Sequence, residues 1–387
     1  MTRHVFLIPG FFGFANLGDL AYWGPVHRTL GELLEQAGMP ATLHCVKSLP
    51  TASLRRRARC LLEAIDAVSP GPDAVLHLVG HSTGGLDARL LLTPTADLDT
   101  EIDTESYAAR VRSMVSVATP HYGAPVASFF TSLLGRQLLR LLSVLTMTSL
   151  RVGRIPLSAW AEVAGLFALP YPLGGATGTL ATQLNRQLLA DFNEERREQV
   201  RELLAEVERD QSLLTQLTPE SMDLFNAAAG ERDGVLYGSV ITSARRPSWS
   251  ALLEIGADPV NQAQYVIYYS LGRLAAGYQY AAPDSEYEQA FHEAFGEIPD
   301  SDANDGIVPT LSQPWGRCVA AATADHLDII GHYAGDPSDG PGERHYDWLT
   351  TRSGFRTEQF RDVWRRVVGF LAEAEGLRSA AASTQPS

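Results

Sequence analysis

The sequence predicts an α/β fold, in which a mostly parallel central sheet is covered by helices on both faces. Short apolar runs rich in β-branched residues alternate with helical patterns through the first third of the chain, as is typical of parallel sheets. One of these runs continues into a helical stretch through a Gly-x-Ser-x-Gly turn. The 387 residues are 45% hydrophobic and only 20% charged, which favours a single domain over residues 1–387 with a large insertion.

The first strands and helices follow one another at short intervals. Because the carboxyl ends of parallel strands meet at one edge of the sheet, the loops after them should share a binding edge. The predicted strands are His4–Ile8, Ala41–Val46, Ala74–Val79 and Met114–Ala118, and the predicted helices are Leu54–Val68 and Gly85–Leu92.

The middle of the chain, residues 125–217, is predicted to be a helical cap inserted into the sheet. Between Phe129 and Leu145, apolar residues recur with a helical period opposite Arg136 and Arg140. This segment is predicted to be an amphipathic helix of the inserted cap.

Strand character returns in two later segments, Gly234–Ile241 and Arg317–Thr323. A closing helix is predicted over Thr357–Glu375, because its apolar residues fall on one face. The small and polar residues 378–387 predict a disordered tail.

The sequence Gly80–Gly84 predicts a nucleophile elbow with Ser82 at its apex. Flanking glycines allow strand and helix to pass closely, and a strained backbone holds the serine hydroxyl out. A serine hydroxyl is a poor nucleophile and needs a histidine held by a carboxylate. In elbow enzymes both partners follow the serine along the chain, the carboxylate first and the histidine last.

The predicted base is His326, which lies within three residues of the end of the last predicted strand. Loop geometry is best fixed close to a strand. His332 and His345 also follow that strand and are the alternatives. His81, inside the elbow, is expected to have a role beside the pocket rather than as the base, and His121 is expected to position a loop.

The predicted acid is Asp305, in a turn between the last two strands. Asp300 and Asp302 compete for this role, but Asp305 leads through Gly306 directly into an apolar pair and is better anchored. The three residues Ser82, Asp305 and His326 therefore stand in the order that the chemistry requires.

Two backbone amides are predicted to bind the oxyanion of a tetrahedral intermediate. The first belongs to Thr83, the residue after the nucleophile, and the second to Phe11, in the glycine-bearing turn after the first strand. An ordinary strand-ending turn is the alternative for the second position.

Further segments accompany these residues along the chain. They are Ala118–Ala124, Leu217–Pro219 followed by Phe225 and Asn226, Asn304–Val308, and His326–Asp328. With the elbow and the Ile8–Phe11 loop, this ordered set resembles the bacterial true lipases, triacylglycerol lipases of the Pseudomonas and Burkholderia type, in the α/β-hydrolase superfamily. The resemblance implies an α/β-hydrolase fold with a helical cap or lid.

The resemblance also implies an activity and a metal. It implies a carboxylester hydrolase whose lid helix covers an apolar acyl pocket and lifts at a lipid surface, with no organic cofactor. The Phe129–Leu145 helix is the matching candidate lid, and a packed core helix would explain its pattern almost equally well. A structural calcium near the histidine loop is implied, with Asp328 and Asp284 as the matching carboxylates. Oxygen ligands of this kind suit a hard cation; two surface aspartates are the alternative.

Charge and hydropathy exclude other classes of partner. A net charge of −14 argues against nucleic acid, and the basic run Arg55–Arg59 has the pattern of a solvated helix face. Arginines interrupt the longest apolar stretch, Val126–Leu150, before it reaches the roughly 18 residues that suggest a membrane span. Without a visible signal peptide, a cytoplasmic location is expected.

Three functional hypotheses follow. The leading one is hydrolysis of lipophilic esters through an acyl-enzyme on Ser82. The second keeps the same triad in an intracellular acyltransferase, thioesterase or polyester depolymerase. The third is a binding module on a hydrolase fold, which an intact set of catalytic residues disfavours.

Overall fold

A computed structural model describes most of the chain outside the middle insertion. The described residues are 2–11, 19–132, 210–281, 284–335 and 347–376, together with the helix Leu157–Ala168 and single positions elsewhere between 135 and 209.

The centre of the fold is a six-stranded sheet, and all five neighbouring pairs of strands are parallel. The strand order is β2-β1-β3-β4-β5-β6, which confirms the predicted α/β class and the six predicted strands. The strands are β1 (Arg3–Ile8), β2 (Thr42–Cys45), β3 (Val75–His81), β4 (Val111–Val117), β5 (Leu236–Ser243) and β6 (Arg317–Thr323).

Helices cover both faces of this sheet, which is why its strands read as nearly continuous apolar runs. The predicted helices at Leu54–Val68 and at the end of the chain are confirmed. The helices are α1 (Asp19–Gln36), α2 (Leu54–Val68), α3 (Thr83–Leu92), α4 (Thr104–Ala108), α5 (Pro125–Thr131), α6 (Leu157–Ala168), α7 (Ser212–Gln216), α8 (Pro219–Ala228), α9 (Trp249–Glu254), α10 (Pro259–Ala275), α11 (Ser285–Phe295) and α12 (Thr357–Ala374).

The core divides into two layers because successive side chains of a strand point to opposite faces. Val5 and Leu7 of β1 belong to one apolar cluster, which also holds Trp364 of α12. Phe6 and Ile8, one residue out of phase, belong to the cluster on the other face, with side chains of α2 and α3.

Among the described residues of the insertion, the structure differs from the prediction near Ser132. The single helix expected over Phe129–Leu145 is interrupted at Ser132, whose backbone is extended with φ −69° and ψ 158°. The Oγ of Ser132 accepts a hydrogen bond from the amide of Gly135, 3.0 Å away, so this serine caps a second helical stretch. The predicted boundary at residues 125–217 stays a prediction, because most of this segment lies outside the described residues, as does the tail 378–387.

The carboxyl ends of the strands form the edge that carries the predicted site. The loop with Phe11 follows β1, Ser82 follows β3, Asp305 lies between β5 and β6, and His326 follows β6. Among the described helices, none has the length and apolar character needed to cross a membrane.

Candidate active site

Ser82 lies at the sharp turn between β3 and α3. Its backbone has φ 54° and ψ −129°, a conformation that non-glycine residues rarely adopt. Such strain persists only where the surrounding structure enforces it, and it clusters at functional sites. The geometry agrees with the predicted elbow.

The glycines on either side of Ser82 are required by close backbone contacts. A Cβ atom on Gly80 would lie 2.4 Å from the carbonyl carbon of Gly84. A Cβ atom on Gly84 would lie 2.3 Å from the carbonyl oxygen of Ile8, in the first strand. Only glycine therefore lets the elbow pack against β1 and fold back on its own strand.

Asp305 is a buried carboxylate held by four donors. One oxygen, Oδ1, accepts the amides of Ile307 and Val308 at 3.0 and 2.7 Å. The other, Oδ2, accepts the hydroxyl of Thr242 at 2.8 Å and lies 2.8 Å from Nδ1 of His326. Both oxygens are thus oriented, and one of them faces the histidine.

The contact with Asp305 defines the tautomer of His326. A carboxylate only accepts hydrogen bonds, so Nδ1 carries a proton and Nε2 of the neutral ring is left as a base. Ser82 and His326 line the same cavity, although no hydrogen bond joins the serine Oγ to Nε2. Such bonds are often long in structures without substrate.

Phe11 and Thr83, the two predicted oxyanion donors, line that cavity too. Thr83 is the first residue of α3, with Ser82 as its N-cap. Amides in the first turn of a helix have no partner within the helix and form the positive end of its dipole. This amide is thus suited to an oxyanion beside Ser82.

Arg57 supports the loop that carries Phe11, so the interpretation of residues 55–59 as a solvated helix face is wrong for this residue, whereas Arg55 and Arg56 are exposed as predicted. The Arg57 side chain is fully buried and pairs with Asp87 of α3 at 2.7 Å. It also donates to the carbonyl oxygen of Pro9 at 3.1 Å. Arg57 lies on the buried face of α2 with Leu54, Ala58 and other apolar residues. The charge pattern alone did not indicate this position.

The cavity beside Ser82 is apolar and narrow, with a free volume of about 60 Å³. This volume holds a few water molecules. Side chains from α5, the insertion, α7, α10 and the Asp305 loop form its wall. Its apolar lining consists of Phe11, Pro120, Ala124, Val126, Ala127, Phe130, Leu139, Leu142, Leu214, Leu217, Leu271, Ile307 and Val308.

The rival acids and bases are placed elsewhere. Nε2 of His332 lies 2.9 Å from the backbone oxygen of Tyr22. Asp300 pairs with Arg246, and Asp302 is exposed. His345 lies outside the described residues.

His121, expected to position a loop, is buried. Its ring contacts the hydroxyl of Ser116 at 2.9 Å, and Asn226 donates to its carbonyl oxygen at 2.9 Å. These bonds tie the loop after β4 to α8.

A cluster of three carboxylates lies directly after His326. Oxygen atoms of Asp325, Asp328 and Asp347 are all within 4.8 Å of one another. Burial and repulsion from Asp305 raise the pKa of Asp325 to about 7, although hydrogen bonds from two backbone amides and from Thr351 oppose the rise. Burial and repulsion from Asp325 raise the pKa of Asp328 well above its ordinary value. Three carboxylates that repel one another, two of them on buried residues and one on the half-buried Asp347, suit a divalent cation such as calcium.

Asp284 does not belong to this cluster, so the predicted pairing of Asp284 with Asp328 is not found. Asp284 is an exposed residue that precedes α11 and lines a different cavity, with Tyr122 and Trp315. The carboxylates that lie near Asp328 are those of Asp325 and Asp347 instead.

Several of these residues were missed by sequence reasoning. Thr242, near the end of β5, could have been proposed as a site residue from its position at the carboxyl edge of the sheet. Asp325 directly precedes His326, so the sequence could have suggested that it lies close to the site. Asp347 and Arg57 gave no local signal, because their partners are distant in the sequence.

No protein-family model and no curated protein matches the sequence. Solved structures do match it. EstA from Clostridium botulinum has 18% identity and a TM-score of 0.53, with 96% of this chain and 87% of that chain covered. The lipase of Staphylococcus hyicus has 16% identity and a TM-score of 0.51, with 99% and 97% covered.

Lipase 1 from Pelosinus fermentans has 18% identity and a TM-score of 0.50, with 91% of this chain and 98% of that chain covered. Identities this low are evidence of a shared fold only. Together with the parallel sheet and the position of the elbow, they establish that this chain has the α/β-hydrolase fold.

Proposed function

We propose that this protein is a serine carboxylester hydrolase that acts on lipophilic esters through an acyl-enzyme on Ser82. The observation that carries the proposal is that His326, oriented by Asp305 2.8 Å away, lines the same apolar cavity as a strained serine. Two of the three similar structures are described as lipases, which agrees with this assignment.

The proposed reaction has two halves. The Oγ of Ser82 attacks the ester carbonyl while Nε2 of His326 takes its proton, and the amides of Phe11 and Thr83 stabilise the oxyanion. Collapse of the intermediate breaks the C–O bond, and His326 returns the proton to the leaving alcohol. Water then attacks the acyl-enzyme by the same route, which releases the acid and restores Ser82.

The apolar wall of the cavity favours an acyl group without charge. We expect hydrolysis of p-nitrophenyl esters, and a profile of acyl chain length would report how far the narrow cavity opens. Contact of the cap with a lipid surface is also proposed, and it predicts a higher rate on emulsified than on dissolved esters. Equal rates on both would remove the interfacial part of the proposal.

The test compares Ser82→Ala with Ser128→Ala, an exposed serine of α5. Loss of ester hydrolysis in the first variant, with full activity in the second, is expected, since catalysis collapses without the nucleophile. A Ser82→Ala variant that hydrolyses esters at the wild-type rate would refute the assignment.

A structural calcium held by Asp325, Asp328 and Asp347 is the second part of the proposal. The donor set fits, and the ion would neutralise three carboxylates and brace the loop that carries His326. Chelation should therefore lower the melting temperature and added calcium should restore it, because a ligand bound only by the native state stabilises it. An Asp347→Asn variant that responds to calcium like the wild type would argue against this site.

A further inference from the structure

A buried chain of hydrogen bonds joins two loops of the site. One is the oxyanion loop, which holds Gly10 and Phe11, and the other is the histidine loop, which holds His326. The amide of Gly10 donates to the hydroxyl of Tyr22 at 3.1 Å. That hydroxyl lies 2.5 Å from Nδ1 of His81, and Nε2 of His81 lies 2.8 Å from the carbonyl oxygen of His326. The hydrogen-bond chain thus runs through His81, the residue before Ser82, and connects the two loops.

The direction of each bond follows from the chemistry of its partners. The carbonyl oxygen of His326 only accepts, so Nε2 of His81 carries the proton. In the neutral ring Nδ1 is then an acceptor, which the Tyr22 hydroxyl fills as a donor while its oxygen accepts the amide of Gly10. All donors and acceptors along the chain are paired.

The surroundings keep His81 neutral. Its side chain is fully buried and Tyr22 is 5% exposed, so water does not compete for these bonds. Burial, with the neighbouring His326 ring 4.7 Å away, lowers the pKa of His81 well below its ordinary value. A charged His81 would donate from both nitrogens and break the pattern.

We propose that Tyr22 and His81 are positioning residues, whose hydrogen-bond chain sets the distance between the oxyanion loop and the histidine that activates Ser82. This inference rests on the proposed ester hydrolysis. Gly10 precedes Phe11, the proposed oxyanion donor, so a shift of the Gly10 amide moves that donor directly. The chain touches no substrate and acts through Phe11 and His326.

The variant that tests the chain is Tyr22→Phe, which removes only the hydroxyl and leaves Nδ1 of His81 and the amide of Gly10 unpaired. Because the oxyanion forms only in the transition state, kcat should fall about tenfold while KM changes less than about twofold. Binding of a boronic acid that mimics the intermediate should weaken by about the same factor as kcat/KM.

Two further variants separate positioning from packing. His81→Leu should lose as much kcat, whereas His81→Gln, whose amide can still donate to His326, should recover most of it. The matched control is Tyr287→Phe, another buried tyrosine, whose hydroxyl donates to the carbonyl of Gly316 at 2.7 Å. It should lose stability without losing kcat.

The outcomes are distinct. A Tyr22→Phe protein that melts earlier but keeps wild-type kcat, in a wild type that hydrolyses esters, would overturn this inference and leave the proposed function intact. A wild type with no esterase activity would overturn both. Should the variants fail to fold, the side-chain ¹⁵N shifts of the wild type test the proposal through the tautomer of His81. A proton on Nδ1 instead of Nε2 would contradict the proposed directions of the hydrogen bonds.

Discussion

Substitution of Asp305 by asparagine tests the role of the acid with a minimal change of shape. Two backbone amides donate to Oδ1 at 3.0 and 2.7 Å, so the amide oxygen of the new residue should keep that position. Its NH₂ group must then replace Oδ2, facing Nδ1 of His326 and the hydroxyl of Thr242. The surrounding donors thus fix the orientation of the new side chain.

The consequence is a wrong tautomer of His326. An NH₂ group donates to Nδ1, which moves the proton of the neutral ring to Nε2. Nε2 can then no longer accept the proton of Ser82. Where the same exchange has been made in a serine protease, kcat falls about 10⁴-fold, which corresponds to about 5 kcal/mol of transition-state stabilisation.

The assay is steady-state hydrolysis of a p-nitrophenyl ester at pH 7, with the melting temperature as a check on folding. Asp302→Asn is the matched control, because it removes the same charge from an exposed site three residues away and should keep full activity. The reasoning would be refuted if folded Asp305→Asn kept more than about a tenth of wild-type kcat, a loss of less than about 1.4 kcal/mol.

Three other substitutions test the framework around the site. Gly84→Ala should lower the free energy of unfolding by about 1–3 kcal/mol or prevent folding, because the new methyl group would lie 2.3 Å from a carbonyl oxygen of the first strand; a denaturant titration measures this. Arg57→Leu should cost about 3–5 kcal/mol, since it leaves a buried carboxylate unpaired, and unchanged stability would contradict the buried pair. For Glu375, burial is outweighed by hydrogen bonds from His77 and Arg3, which lower its pKa from 4.5 to about 2. A depressed carboxyl pKa stabilises the folded state above pH 4.5 and the benefit disappears as the pH falls to about 2, so wild type should lose more stability than Glu375→Gln over that interval.

The sheet and the elbow were predictable because their signals are local. Alternating apolar strands and helical patterns indicate a parallel sheet. The glycines around Ser82 mark a turn in which no Cβ atom fits. Asp305 and His326 could be selected from their rivals because each lies close to a strand end, where the topology sets its position.

What the sequence did not predict depends on contacts between distant segments. Arg57 resembles its exposed neighbours in sequence, and only its pairing with Asp87 identifies it as buried. Asp347 is 22 residues from Asp325 in the numbering, and folding brings their carboxylates together. The break at Ser132 was missed because a serine within an amphipathic pattern reads as an exposed helical position, although here its side chain caps a new helix.

The most direct test of the central claim is covalent labelling with a fluorophosphonate, followed by mass spectrometry of the peptides. The account predicts one adduct per chain, on Ser82, formed rapidly in the wild type and slowly in His326→Ala, because the base is needed to activate the serine. An adduct on another residue, or a folded protein that forms none, would contradict the claim that Ser82 is an activated nucleophile.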